Sequence, residues 1–262
     1  MLNTSPDTWI LIRGLGRESA HWGEFVERLQ MAFPNSQIIC PDLPGTGLAL
    51  DQTSPWTIEK ITDTLRQQIK QSGVNPHNHR CGIIGLSLGG MVTWDWLKRY
   101  PQDASLGVLI NTSFADLSPF YHRLYWKRYG KMLQLGLTRD RIAREKAIIK
   151  MVCNCQQQDH ILQHWSAIAQ QRPVSAATIF RQLVAAARFR AGDKPQQTTL
   201  ILSSAADNLV NPRCSQRIHQ HYDLQIKTHP WAGHDLTTDD AVWVTSSLSD
   251  FCRGGRAPGD VA

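Results

Sequence analysis

A short segment at residues 81–91 joins an apolar strand pattern, a glycine-flanked serine and the start of a helical pattern. It reads CGIIGLSLGGM, so the apolar run stops at Gly85 and Ser87 stands between two glycines, with helical spacing from Met91 onward. A sharp strand-to-helix turn brings its two elements too close together for side chains at the flanking positions. The pattern predicts a nucleophile elbow that holds the Ser87 hydroxyl above a sheet edge.

The alternative for this segment is a glycine-rich turn that happens to hold a serine, since so short a pattern also occurs by chance. A nucleophile elbow requires a strand before the serine and a helix after it. Because both patterns are present around Ser87, the sequence favours the catalytic interpretation.

Short apolar runs alternate with helical patterns through the first 116 residues. Strands are predicted at 9–12, 37–40, 81–85 and 106–111, and helices at 22–33, 57–71 and 91–100. Such alternation indicates βα units around a parallel sheet, and continuous apolar strands agree because a parallel sheet is covered on both faces. About eight residues precede the first strand, which is too few for an antiparallel hairpin before it.

The strand pattern disappears between residues 117 and 195. Four amphipathic helices are predicted there, at 121–135, 139–152, 159–170 and 174–190, followed by strands at 199–202 and 224–227 and a helix at 241–251. The sequence therefore predicts an α/β fold with a doubly wound, mostly parallel sheet of about six strands. Residues 1–116 and 196–262 are predicted to form the α/β core, and 117–195 a four-helix lid inserted into it.

The net charge of +6 is concentrated in the predicted lid. Segment 117–195 holds 14 Lys or Arg against 4 Asp or Glu, whereas the rest of the chain holds 14 against 18. The preferred interpretation is a helix bundle with solvated Lys and Arg on its outside. A sharper hypothesis is a surface that docks an acidic carrier protein or an anionic acyl substrate. Its residues are Arg123, Lys127, Arg128, Lys131, Arg139, Arg141 and Arg144. A lipid interface is a further alternative, because tyrosines and a tryptophan lie among these charges.

Neither a metal nor a cofactor is predicted from the sequence. The six cysteines are scattered, and Cys153 and Cys155 are too closely spaced for a CxxC pair, so they are interpreted as reduced thiols. No apolar stretch is long enough to span a membrane, and the N-terminal residues show no secretory pattern. We therefore expect a cytoplasmic protein that does not bind nucleic acid.

A serine hydroxyl needs a base within reach, and a carboxylate that orients the base, before it can act as a nucleophile. Asp207 follows the predicted strand at 199–202, and His234 follows the next one, at 224–227. Both residues are thus predicted at carboxyl ends of strands. The chain order Ser87, Asp207, His234 is the order of doubly wound hydrolases.

Two other residues compete for these roles. Asp116 also follows a strand, and a carboxylate at that place replaces the usual one in some hydrolases. His229 precedes Pro230 and is predicted on the strand side of its loop, whereas His234 follows a glycine within the loop. Asp235 is predicted to cap the turn that comes next. We prefer Asp207 and His234.

Acyl transfer also requires donors for the oxyanion of the tetrahedral intermediate. One predicted donor is the backbone N–H of Leu88, the residue after the nucleophile. The other is the N–H of Leu15, whose neighbours Gly14 and Gly16 let the backbone approach the site. An ordinary strand-to-helix turn is the alternative interpretation of that glycine pair.

Together these motifs make the chain resemble the α/β-hydrolase superfamily over residues 9–251. The matching positions are Ser87, Asp207, His234, the turn at Gly14 and Leu15, and the loop PDLPG at 41–45, which is similar to a loop of small esterases and C–C hydrolases. Arg13 is a departure, because many relatives have histidine before the glycine.

The resemblance implies a serine hydrolase that cleaves a carboxylic ester or thioester through an acyl-enzyme. In layout the chain is similar to pimeloyl-carrier methyl esterase and to small carboxylesterases, so the expected substrate is a small-molecule or carrier-bound acyl ester. A C–C bond hydrolase or lyase with the same three residues is an alternative. A non-catalytic ligand receptor is another, from a different class.

Overall fold

The structure is a computed structural model, and it describes residues 5–74, 80–125, 130, 138 and 140–254. Its sheet contains β1 (Thr8–Ile12), β2 (Gln37–Ile39), β3 (Cys81–Leu86), β4 (Leu106–Ile110), β5 (Thr198–Ser204) and β6 (Gln225–His229). The strand order is β2-β1-β3-β4-β5-β6, and every neighbouring pair is parallel. The predicted α/β fold with a parallel sheet of about six strands is confirmed.

The described α-helices fall before, within and after the predicted lid segment. They are α1 (Phe25–Ala32), α2 (Ile58–Gln71), α3 (Leu88–Arg99), α4 (Phe120–Arg123), α5 (Arg141–Val152), α6 (Gln158–Gln171), α7 (Ala176–Arg188), α8 (Arg213–Tyr222), α9 (Leu236–Asp239) and α10 (Ala241–Cys252). Short 3₁₀ helices lie at Ser19–Trp22 and Gly47–Ala49. Helices α4 to α7 follow β4 and precede β5.

Side chains of β1 alternate between two hydrophobic cores, as successive residues of a strand must. Ile10 and Ile12 belong to the core that includes α2 and α3, whereas Trp9 and Leu11 belong to the core that includes α1 and α10. Every residue of β1, β3 and β4 is buried. Helices therefore cover both faces of the sheet, which is the doubly wound arrangement.

Most predicted helices agree with the structure to within a few residues. Helix α2 begins after Thr57, whose side chain accepts the N–H of Lys60 at 3.3 Å, as a helix N-cap does. The helix predicted at 22–33 is wrong at its start. There the chain forms a 3₁₀ turn, then passes through Gly23 with φ at +51°, and only afterwards begins α1.

Two of the helices between β4 and β5, α5 and α6, form a third core with one another. Ile149 and Val152 of α5 pack with Trp165 and Ile168 of α6. Helices α5, α6 and α7 correspond to the last three predicted for this segment. Of the first, predicted at 121–135, α4 and Gly130 lie within the described residues. The division of the chain into a core and a four-helix lid stays a prediction.

The turn between β3 and α3 leaves no space for side chains at its glycines. A Cβ atom at Gly85 would lie 2.2 Å from the carbonyl oxygen of Gly89, and one at Gly89 would lie 2.1 Å from the carbonyl oxygen of Ile12. Both obstacles are backbone atoms, which cannot rotate away. The close approach of strand and helix expected from the sequence is present.

We expect Gly89→Ala to lower the free energy of unfolding by about 2 kcal/mol or more, because the added methyl group overpacks a backbone contact. Urea denaturation of the purified proteins measures this loss. Gly130→Ala is the matched control, since a Cβ atom there meets no atom of the described residues within 4 Å. Equal stability of the two variants would show that the elbow is less tightly closed than the structure indicates.

Candidate active site

Ser87 stands at the sharp turn between β3 and α3 in a strained backbone conformation. Its φ and ψ are 58° and −115°, a region that residues with side chains rarely occupy. Its N–H donates to the carbonyl of Ile110 at 2.8 Å, and its carbonyl accepts the Thr112 hydroxyl at 2.7 Å. The end of β4 therefore holds this turn on both sides.

The structure brings Asp207 and His234 into direct contact. Oδ2 of Asp207 lies 2.8 Å from Nδ1 of His234, and both side chains are buried. The other oxygen, Oδ1, accepts the backbone N–H groups of Leu209 and Val210 at 2.8 and 2.9 Å. The loop after β5 thus fixes the carboxylate, and the carboxylate fixes the imidazole ring.

Asn111, the residue after β4, joins the His234 loop to the Ser87 turn. Its side-chain nitrogen donates to the carbonyl of His234 at 2.9 Å, and the next residue, Thr112, binds the carbonyl of Ser87. Ser87 and His234 are therefore attached to consecutive residues at the end of one strand. The sequence reasoning missed Asn111, although a polar residue directly after an apolar strand is a usable signal.

The protonation of His234 follows from its surroundings. Burial by itself lowers the pKa of this imidazole, but the negative charge of Asp207 and the hydrogen bond to it outweigh burial, so the pKa is raised. A carboxylate at Nδ1 places a proton on that nitrogen and leaves Nε2 as the basic atom. The ring is therefore arranged to accept a proton through Nε2.

Both competing residues have partners elsewhere in the structure. The two carboxylate oxygens of Asp116 accept the N–H groups of Ala191 and Gly192 at 3.1 and 3.0 Å. Nε2 of His229 lies 3.1 Å from Oδ2 of Asp240. Each residue thus has a local structural explanation, which leaves the pair formed by Asp207 and His234 as the better candidate.

The two predicted oxyanion donors belong to segments next to Ser87. Leu88 is the first residue of α3, where the N–H groups have no partner within the helix. The loop after β1 passes against the turn, since a Cβ atom at Gly14 would lie 3.2 Å from Cβ of Ser87. Leu15 follows directly in that loop. The roles of Leu88 and Leu15 stay predictions.

Asp235 forms the predicted cap and also a contact that the sequence did not indicate. It is the N-cap of α9, where its Oδ1 accepts the N–H of Thr238 at 3.3 Å. In addition, its carboxylate forms a buried ion pair with Arg13, the residue that departs from the family pattern. Arg13 also lies over the ring of Trp22, at 4.7 Å from the ring centroid.

Helices α5 and α7 contact loops next to this site. Oε1 of Gln182, in α7, accepts the N–H of Gly16 at 2.8 Å. Glu145, in α5, forms an ion pair of 2.7 Å with Arg17. The segment between β4 and β5 therefore contacts the loop that carries Leu15, while its role as a lid stays a prediction.

The predicted basic surface is only partly described. Arg123 is not available for an anionic partner, because its guanidinium donates to the Ser113 hydroxyl at 3.3 Å and to the Ala187 carbonyl at 3.0 Å. It binds the C-terminal end of α7 and is a structural residue. Arg141 is exposed and Arg144 is half-buried. Four further residues of this surface, Lys127, Arg128, Lys131 and Arg139, lie outside the described residues.

The described part of the chain shows no grouping of three or more His, Cys, Asp or Glu side chains suited to a metal ion. Within the same residues, no helix has the length and apolar character needed to cross a membrane. The described cysteines are unpaired by disulfide bonds, and burial raises the pKa of the Cys81 thiol to about 12.

Residues 6–241 match a family model described as serine aminopeptidase, S33, of the Hydrolase_4 group. The match spans most of the chain. The chain belongs to this family of α/β hydrolases. The nucleophile elbow at Ser87, the strand order and the positions of Asp207 and His234 in loops after strands agree with that membership. No curated protein matches the sequence of this hydrolase.

Solved structures with the same fold include BpoC from Mycobacterium tuberculosis H37Rv, assigned provisionally as a non-heme bromoperoxidase. It is 18% identical, with a TM-score of 0.74 over 97% of the hydrolase and 94% of BpoC. The esterase EaEST from Exiguobacterium antarcticum is 14% identical, with a TM-score of 0.74 over 95% and 92%. The RedJ thioesterase of prodiginine biosynthesis in Streptomyces coelicolor is 14% identical, with a TM-score of 0.64 over 94% and 85%. At these identities the likeness is one of fold.

Proposed function

We propose that the hydrolase cleaves a carboxylic ester or thioester through a covalent acyl-enzyme on Ser87. His234 is the general base and acid, and Asp207 orients it. The N–H groups of Leu88 and Leu15 hold the oxyanion. Membership in a hydrolase family supports the reaction class.

The observation that carries the proposal is the 2.8 Å hydrogen bond between Asp207 and His234. A buried carboxylate that accepts a hydrogen bond from Nδ1 of an imidazole, leaving Nε2 to act as the base, is the arrangement that activates a serine hydroxyl. Asn111 and Thr112 attach this histidine loop and the strained Ser87 turn to one strand end. The strained backbone of Ser87 is a further support, because strained residues cluster at active sites.

The proposed reaction has two halves. The Ser87 oxygen attacks the acyl carbon while Nε2 of His234 takes the hydroxyl proton, and the carbonyl oxygen becomes an oxyanion. The intermediate then breaks its bond to the leaving alcohol or thiol, which receives the proton from His234. Water repeats these steps on the acyl-enzyme, releasing the carboxylic acid and restoring Ser87.

An ester or thioester is proposed because folds of known esterases and a thioesterase match along almost the full chain. The family description names an aminopeptidase, so an aminoacyl p-nitroanilide should be assayed beside a p-nitrophenyl ester. Docking of an acidic carrier protein stays a prediction. It rests on Arg141, Arg144 and the four basic residues outside the described part, without Arg123.

Labelling with a fluorophosphonate tests the nucleophile directly. The activated hydroxyl displaces fluoride from phosphorus, so we expect one adduct, located on Ser87 by peptide mass spectrometry. Heat-denatured protein is the control and should remain unlabelled, because labelling requires the folded arrangement. No adduct on the active protein, or an adduct on another residue, would overturn the assignment of Ser87.

A further inference from the structure

Arg13 and Asp235 form an ion pair in the interior of the hydrolase. Their side chains are 2% and 4% exposed. Nη1 of Arg13 lies 3.3 Å from Oδ1 of Asp235, and Nη2 contacts Oδ2, so the contact is bidentate. The Thr237 hydroxyl donates to the same carboxylate at 3.0 Å. The charges are therefore matched in geometry as well as in sign.

The pair joins two loops that the proposed reaction uses. Arg13 follows β1 and directly precedes Gly14, which lies against Ser87. Asp235 directly follows His234. One contact between residues 222 positions apart thus sets the separation between the loop of Leu15 and the loop of the general base.

Stability alone is a weak reason for such a pair. Removing two charges from water costs nearly as much as their attraction returns, and apolar side chains of similar volume are often as stabilising in the same place. Stability therefore does not explain why this ion pair lies next to His234. Electrostatics supplies an explanation, because the two charges act on the imidazole in opposite directions.

Three charged groups act on His234 from the elements packed around it. Asp207 and Asp235 each raise the pKa of the imidazole, and Arg13 lowers it. The thiol of Cys153, which interacts with Asp235, is neutral because burial raises its pKa. Burial favours protonation of Asp235, but the Arg13 charge holds the pKa of that carboxyl below its ordinary value. Arg13, together with the hydrogen bonds from Thr237 and Thr238, therefore favours the ionised form of Asp235, and Arg13 also offsets its charge.

We propose that Arg13 and Asp235 act together as a positioning pair, holding the His234 loop against the loop of Leu15 and balancing the second carboxylate beside the imidazole. The inference rests on the proposed function, because His234 must serve as the general base for its protonation to matter. Neither residue is assigned a contact with substrate.

The single variants Arg13→Gln and Asp235→Asn are expected to shift the acid limb of the profile of kcat/KM against pH in opposite directions. In Arg13→Gln the Thr237 hydroxyl and the Thr238 N–H still bind the Asp235 carboxylate and favour its ionised form. Its charge is then no longer offset and stabilises the imidazolium, so the limb moves to higher pH by about half a unit or more. Asp235→Asn leaves the Arg13 charge unbalanced, so the limb moves to lower pH by a similar amount. Asparagine is also a good N-cap, so α9 keeps its start.

The test measures hydrolysis of p-nitrophenyl butyrate between pH 5 and 9. In the double variant Arg13→Gln, Asp235→Asn, both charges are gone, and the limb is expected within about 0.3 units of the parent position. Arg13→Lys keeps the charge and loses the bidentate geometry, so its limb stays in place while kcat falls. If a single variant does not fold, the double variant and Arg13→Lys carry the test.

Shifts of the two single variants in the same direction, or reduced activity with an unmoved limb in both, would overturn the positioning role. A double variant displaced as far as a single one would do the same. Failure of the proposed function would be seen differently, as ester hydrolysis that is retained by the single variant Ser87→Ala. The two failures are therefore distinguishable.

Discussion

Ser87→Ala is expected to lower kcat for p-nitrophenyl butyrate by about 10⁶-fold, as loss of a serine nucleophile does when base and oxyanion donors remain. Alanine lacks the attacking oxygen, so no acyl-enzyme forms. The fold should be kept, because alanine has the same Cβ atom and the same strained backbone at φ 58°. Initial rates and thermal unfolding of the purified variant measure both effects.

Ser203→Ala is the matched control for this experiment. Ser203 lies in β5, is fully buried, and its hydroxyl has no hydrogen-bond partner among the described residues. Removal of the Ser203 hydroxyl should leave kcat within about twofold of the parent value, since no hydrogen bond among the described residues is lost. Retention of turnover by Ser87→Ala would mean that another group performs the attack.

Asp207→Asn is expected to lower kcat by about 10⁴-fold. An amide nitrogen facing Nδ1 of His234 donates instead of accepting, so the imidazole takes the wrong tautomer and presents a protonated Nε2 to Ser87. The backbone N–H groups of Leu209 and Val210 can still bind the remaining oxygen, so the loop stays in place. Rates at saturating ester, measured at several pH values, determine the loss.

Asp116→Asn separates this assignment from its competitor. Among the described residues, the Asp116 carboxylate accepts hydrogen bonds from the turn at Ala191 and Gly192, and asparagine keeps one acceptor for that turn. We expect its kcat to stay within about tenfold of the parent value, with a small loss of stability. A loss in Asp116→Asn as large as in Asp207→Asn would show that the orienting carboxylate is misassigned.

Much of the fold was predictable because its signals are local. The apolar strands, the helical spacing of α2 and the cap at Thr57 are visible in neighbouring residues. Other elements were predicted wrongly or missed. Gly23 interrupts the helix predicted to begin at residue 22, so α1 begins after it. Helix α8 was not predicted, although it buries Cys214, Ile218 and Tyr222 at four-residue spacing among polar residues. That spacing is a helical signal, so α8 was available to sequence reasoning.

The candidate site divides in the same way. Ser87, Asp207 and His234 were chosen from motif and chain order, and the structure adds the contact between the last two. Asn111 had a weak local signal. Arg123 was expected on a docking surface, but it binds the end of α7 instead.

The sequence by itself determined the βα alternation, the elbow at Ser87 and the order of the polar residues, because these depend on periodicity and on residues a few positions apart. Only the tertiary structure decided which charges meet. The pair of Arg13 and Asp235 and the hydrogen bond from the Gly16 N–H to the Gln182 side chain join residues 222 and 166 positions apart. Partners so distant are selected by the packing of strand ends and helices in space, and no local pattern in the chain encodes that packing.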